Sequence, residues 1–174
     1  MRKLIFTLSL SCILVSMISA QEQVGDIIPL ADVPESVSLV KQANDYASAV
    51  VNKDFNSIIG FTHNDVVEMG GGAEFMVTDL ESQSLNLENQ GLKYVSAEVG
   101  SHPEFLESSE ELQTIIPVKF QMNMGDKKVE SWTNLFAVSK DEGINWKFVN
   151  LEMFDEASLR EFVKNVSSDL VYPK

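Results

Sequence analysis

At Gly91 the spacing of apolar residues changes from a helical to a strand period, and this one switch decides the fold class. On its N-terminal side Val37, Val40, Ala43, Ala47 and Val50 recur at three- and four-residue steps, with Tyr46 and Val51 beside them. That stripe predicts an amphipathic helix from Asp32, where Asp32 to Glu35 has capping-box spacing and Pro34 sits in the first turn, to about Lys53-Asp54. Phe55, Ile58, Ile59 and Phe61 predict a second, short helix. Thr62 to Asp65 turn the chain into another helical turn carrying Val66, Val67 and Met69. The triplet Gly70-Gly71-Gly72 marks a tight corner, after which Ala73, Met76, Val77, Leu80 and Leu87 resume the helical period up to Gln90-Gly91.

Beyond Gly91 the period is two. Val95, Ala97 and Val99 alternate with Tyr94, Ser96 and Glu98, and a polar connection from Ser101 to Glu110 follows, with His102 exposed in it. Ile116, Val118, Phe120, Met122 and Met124 then alternate with polar residues, and Gly125-Asp126 is a two-residue hairpin signal. The return strand, about Lys128 to Ser139, places Trp132, Phe136 and Val138 on one face. A turn at Lys140 to Gly143, a strand from Trp146 to Leu151 and a closing helix over Glu156 to Asp169 complete the reading. Helices followed by an antiparallel meander make an α+β domain: N-terminal helices packed on a curved sheet, plus a short C-terminal helix. Sheet twist is expected to curl this arrangement into a half-open cone.

The start of the chain bears on where it works. Arg2 and Lys3 precede an apolar run from Leu4 to Ile18, and Ser19-Ala20 supply small residues before polarity begins at Gln21. This is the pattern of a signal peptide over 1–20, followed by a leader over 21–31 and one domain over 32–174. Cleavage near Ala20 is preferred to lipidation at Cys12, because Ile13 to Ile18 continue the apolar core past the cysteine. The expected location is therefore extracytoplasmic, in the periplasm or secreted. Cys12 is the one cysteine of the chain, so its removal leaves no disulfide and no thiol chemistry. Eleven basic side chains would then stand against twenty-six acidic ones, a net charge of −15. That balance argues against nucleic acid and anionic lipid as partners. No later segment is apolar for long enough to insert into a membrane. A small apolar ligand, a protein partner or a second copy of the chain stays open.

Two runs carry a resemblance. Lys53-Asp54-Phe55 to Phe61-Thr62-His63, continuing into Val66-Val67-Glu68-Met69-Gly70-Gly71, resembles a group of exported proteins of Bacteroidetes-type bacteria. The run from Ser139 through Gly143 to Trp146-Lys147-Phe148-Val149 and the tail from Asp169 to Lys174 resemble the same group. Asn64 stands where that group often has proline. These proteins are similar to the NTF2-like (SnoaL-like, cystatin-like) superfamily, which implies a cone of antiparallel sheet around helices. The superfamily hosts isomerases, dehydratases, hydrolases and transport adaptors, so the fold leaves the reaction undefined.

His63, with Asp65 and Glu68 close in sequence, is the candidate general acid–base, although Thr62 to Asp65 is also a run of capping and turn residues. The spacing of His63 and Asp65 does not put both on one helix face, and no HExxH, CxxC or calcium-loop pattern is present, so no metal is expected. No cofactor is expected either, since the glycine triplet lacks the GK[ST] of a phosphate loop. Tyr46, Phe61, Met69, Phe120, Met122, Trp132 and Trp146 are candidates to line a pocket at the open end, or to pack the core. Two readings result: an exported, non-catalytic binding module with an NTF2-like pocket, and a SnoaL-like isomerase or hydrolase using His63 on an apolar small molecule.

Overall fold

Local capping chemistry sets the helical half. The computed structural model describes residues 34–102, 104–108 and 111–173; the signal expected over 1–20, the leader expected over 21–31 and the expected Asp32 cap lie outside these. Helix α1 spans Pro34–Asn52, α2 Phe55–Phe61, α3 Asn64–Met69 and α4 Ala73–Asn89. Asp54 starts α2 by accepting hydrogen bonds from the Ser57 amide at 3.1 Å and the Ser57 hydroxyl at 2.7 Å. Gly71 and Gly72 take φ of 90° and 96°, a region that side chains rarely enter, and this lets α4 leave the end of α3 abruptly. A Lys53–Glu88 ion pair ties the end of α1 to the end of α4.

The buried stripe of α1 differs from the one predicted. Its centre is Leu39, Ala43, Tyr46 and Ala47, and Val37 is 61% exposed. At about 100° per residue, Val37 sits roughly 160° around the helix from Leu39, which explains the difference.

The sheet half consists of β1 Leu92–Val99, β2 Leu106–Ser108, β3 Glu111–Met124, β4 Lys127–Ser139 and β5 Lys147–Asn150. All pairs are antiparallel in the order β1-β3-β4-β5, and β2 pairs with β3 beyond the end of β1. Gly125 takes φ of 60° in the β3–β4 hairpin, and the register Met124↔Lys127 leaves the two-residue loop that its sequence signals.

Two features of the sheet escaped the alternation. Strand β3 begins at Glu111, not near Ile116, because Glu111, Gln113 and Thr114 are polar yet buried. In β1 a bulge between Tyr94 and Ser96 moves Val95 out of the ladder and leaves it exposed. Tyr94 then pairs with Met122 and shares a face with Ala97 and Val99, from which strict alternation separates it.

Both sheet faces are covered, by different parts of the chain. Under α1 and α2 the inner face buries Ile116, Val118, Phe120, Leu135, Ala137 and Phe148. On the outer face Ile115, Phe136, Val138 and Val149 are buried by Val66 of α3, by Leu159 of helix α5 (Glu156–Phe162) and by Val163 and Leu170 of the tail. The closing helix is thus shorter than the predicted 156–169. Val163 is extended and buried, and Asn165 takes φ of 62°. The reason is competition for the backbone. The Gln113 side chain donates to the Asn165 carbonyl and accepts from the Ser167 amide, while Arg160 donates to the carbonyls of Ser167 and Leu170. The result is α+β, with helices packed against an antiparallel sheet and a short C-terminal helix.

Candidate functional site

Where α1 crosses the sheet towards the β3–β4 hairpin, the inner face is not filled. A recess of about 80 Å³ opens there, lined by Tyr46 and Val50 of α1, Tyr94 of β1, Phe120 and Met122 of β3, Ser131 and Thr133 of β4, Asn150 of β5 and Glu152. Glu152 belongs to a single 3-10 turn, Leu151–Met153, that follows β5 directly. Strand alternation supplies Phe120, Met122, Ser131 and Thr133, the last two paired respectively with Phe120 and Val118, and the β1 bulge brings Tyr94 to the same side.

The walls are aromatic and the rim is polar. Tyr94 and Phe120 meet edge to face with centroids 5.3 Å apart and planes at 70°, while Tyr46 packs against Phe148 at 5.5 Å. Asn150 is fixed by its carbonyl oxygen, which accepts from the Thr133 hydroxyl at 2.8 Å and from the Glu152 amide at 3.0 Å. Burial, and secondarily the nearby Tyr94, push the Tyr46 phenol up to about 12. Burial, and then Glu152, also raise the Tyr94 phenol. The Glu152 carboxyl is itself raised by desolvation, although the residue as a whole is exposed. No basic side chain lines the recess, so Glu152 is its one formal charge.

His63 lies elsewhere, on the outer side of the sheet. Its amide donates to the Phe148 carbonyl at 2.9 Å, and Nδ1 accepts from the Asp65 amide at 3.3 Å, which makes it the N-cap of α3. With Nδ1 accepting, the proton of the neutral ring sits on Nε2. The residue is 4% exposed and borders a second recess, of about 160 Å³, together with Val138, Lys140, Asp141, Asn145 and Lys147. Neither neighbouring carboxylate bonds the ring: Asp65 accepts from the Lys164 amide at 3.0 Å, and Glu68 is exposed. Acid–base work through Nδ1 would therefore have to give up the cap.

Desolvation lowers the His63 pKa most; Asp65 and Glu111 oppose it, and Lys140 and Lys147 add to it. A histidine held below its unfolded value contributes stability that is complete above that value and is lost as pH falls through the folded one. Urea unfolding from about pH 7.5 to about pH 5.5 should therefore show a larger drop in midpoint for the parent protein than for His63→Asn, which keeps an N-cap acceptor and cannot titrate. Equal drops in the two proteins would show that His63 is not held neutral.

Of the seven apolar and aromatic candidates, the structure gathers Tyr46, Phe120 and Met122 at the inner recess. Phe61 packs against Phe148 on the same face of the sheet, and Trp146 is fully buried there, its indole N–H donating to the Gly143 carbonyl at 2.9 Å. Met69 joins the outer core beside Val66. Trp132 stands on the outer face, 57% exposed, with the Lys119 ammonium 5.6 Å from its ring centroid and Glu98 paired to that lysine at 2.7 Å. His102, expected in the open, is half-buried and stacks on Phe105 at 4.7 Å.

The residues missed from sequence are Tyr94, Ser131, Thr133, Asn150 and Glu152. Asn150-Leu151-Glu152 carried one usable signal, an asparagine two residues before a glutamate at the end of a strand, which is an Asx-turn spacing. Among the described residues no group of three or more His, Cys, Asp or Glu stands close enough to hold a metal ion, and no helix is long and apolar enough to cross a membrane.

No family model matches the sequence, and no curated protein matches it. Among solved structures the chain is similar to that of an LEH-like epoxide hydrolase of M. tuberculosis, at 15% identity and a TM-score of 0.34, covering 75% of this chain and 87% of that one.

Proposed function

We propose that this chain is an exported, non-catalytic binding module of the NTF2-like kind, and that its ligand enters the inner-face recess rather than the pocket beside His63. One observation carries the reading: an aromatic-walled opening in the inner core ends in polar groups that the fold leaves unused. The Asn150 amide nitrogen and the Glu152 carboxylate make no hydrogen bond of their own among the described residues, although Asn150's oxygen is doubly occupied. Apolar walls with a few fixed polar groups are the usual make-up of a small-molecule site. The recess has about half the volume of a cavity of about 150 Å³ that accepts benzene, so the ligand inserts one end and leaves the rest outside.

A fragment screen against the ¹⁵N-labelled domain, read by amide chemical shifts, tests this. Binding fragments are expected to shift Tyr46, Tyr94, Thr133 and Glu152 together. Shifts confined to Asn64, Lys140 and Asn145 would move the site to the His63 side, and a screen without binders would end the proposal.

A further inference from the structure

The groups at the recess also select the charge of what enters, an inference that rests on the reading just given. We infer that the recess receives a primary alkylammonium group, the –CH₂–NH₃⁺ end of a small amine.

Charge points this way first. Glu152 is the single ionised side chain lining the opening, with no lysine or arginine beside it, in a chain of net charge −13. An anionic end would meet that carboxylate unscreened, whereas a cationic one is drawn to it. The contrast with the other recess is direct, since Lys140 and Lys147 border the His63 side.

Hydrogen-bond inventory points the same way. An ammonium group offers three donors and no acceptor. Against it the recess sets the Glu152 carboxylate and the hydroxyl oxygens of Tyr46, Tyr94 and Ser131, all able to accept, and a single side-chain group that can only donate, the Asn150 amide nitrogen. The Thr133 hydroxyl has given its proton to Asn150, which leaves its oxygen to accept as well.

The aromatic walls add the third term. Tyr94 and Phe120 stand nearly perpendicular at 5.3 Å, two sides of a box with Tyr46 as a third lining residue. Ring faces attract a desolvated cation by their quadrupole. Size is consistent with this: about 80 Å³, roughly half of a cavity of about 150 Å³ that accepts benzene, takes an ammonium and the methylenes next to it.

The test compares n-butylammonium with 1-butanol, a near-isosteric neutral probe, by amide shifts of the ¹⁵N-labelled protein and of its Glu152→Gln variant. Glu152 is exposed, and its structural bond to Asn150 runs through the backbone amide, so the variant keeps the fold. Butylammonium is expected to bind at Tyr94, Phe120 and Thr133 at least about tenfold more tightly than butanol, and Glu152→Gln to remove about that factor for the amine alone. A blocked lysine tripeptide is the third arm: tighter binding than butylammonium would assign the alkylammonium to a protein side chain, weaker binding to a free amine, and both uphold the class. Equal binding of butanol and butylammonium would overturn the charge selection while leaving the pocket standing. Failure of both probes, with neutral fragments still seated in the recess, would overturn it too. Only a recess that accepts no fragment would take the pocket reading down with it.

Discussion

Trp146→Ala is expected to lower the unfolding free energy by about 4 kcal/mol, the middle of the range for removing a large buried aromatic side chain. Three elements meet at this indole. Its ring is buried and stacks on Phe105 at 5.5 Å, its Nε1–H donates to the Gly143 carbonyl, and its backbone N–H donates to the Gln42 side chain of α1 at 3.0 Å. The turn before it is built to present it: the Ser139 hydroxyl oxygen accepts from the Gly143 amide at 2.9 Å, and Asp141 accepts from the Asn145 amide at 2.8 Å. Gly143 is required there, since it takes φ of 83° and an added Cβ would come within 3.1 Å of the Glu35 Cα. Truncation at 146 thus removes the indole's packing in the inner core and on Phe105 together with its bond to the turn, and leaves the backbone bond to Gln42 of α1 in place. Guanidinium unfolding followed by far-ultraviolet circular dichroism should show the midpoint falling with little change in slope. A loss below about 1 kcal/mol would mean that the site collapses on itself and that the indole is not the keystone argued here.

Gln113→Ala should cost about 2 kcal/mol by a different mechanism. Gln113 is fully buried on the outer face, donating to the Asn165 carbonyl at 2.8 Å and accepting from the Ser167 amide at 2.9 Å. Alanine would leave the buried Ser167 amide without a partner, at about 1–3 kcal/mol, and would take one of two donors from the Asn165 carbonyl, which keeps the Ser108 hydroxyl at 3.1 Å. The loss should be local. Amide hydrogen exchange is expected to speed up over Ser167 to Leu170 and Val163 while the centre of β3 and β4 stays protected. Uniform acceleration through the sheet would instead make the tail part of one cooperative unit, against this prediction.

These two residues also mark the limits of what the sequence discloses. Periodicity finds elements whose burial follows polarity, and so α2, the β3–β4 hairpin and the switch at Gly91 are legible; α4 is found by its spacing between two glycine breaks, although none of its residues is buried. It fails where a polar side chain is buried because its partner is distant in sequence. Glu111 and Gln113 look like loop residues until Asn165, more than fifty positions away, supplies their hydrogen bonds. The same cause shortens α5, whose apolar spacing through Val166 is intact but whose following carbonyls are taken by side chains. The inner recess was half legible. Phe120 and Met122 announce themselves by alternation and Tyr46 by its helix position, but a bulge delivers Tyr94, and no local pattern marks one. His63 shows the converse. Its neighbours Thr62, Asn64 and Asp65 spell a capping segment, and a cap is the role its Nδ1 plays.

The dependence of the outer core on residues 163–172 has a consequence for synthesis. A ribosome makes the sheet first, and Phe136, Val138 and Val149 are complete as a surface well before Leu159, Val163 and Leu170 exist to cover them. Until Ser167 has emerged, the Gln113 side chain faces outward with neither tail partner in place. A nascent chain of this design carries a greasy, polar-studded sheet face that stays open until Leu159, Val163 and Leu170 have emerged. Its vectorial assembly is therefore late-closing, and the unfinished chain carries the exposed apolar surface that makes folding intermediates prone to aggregate.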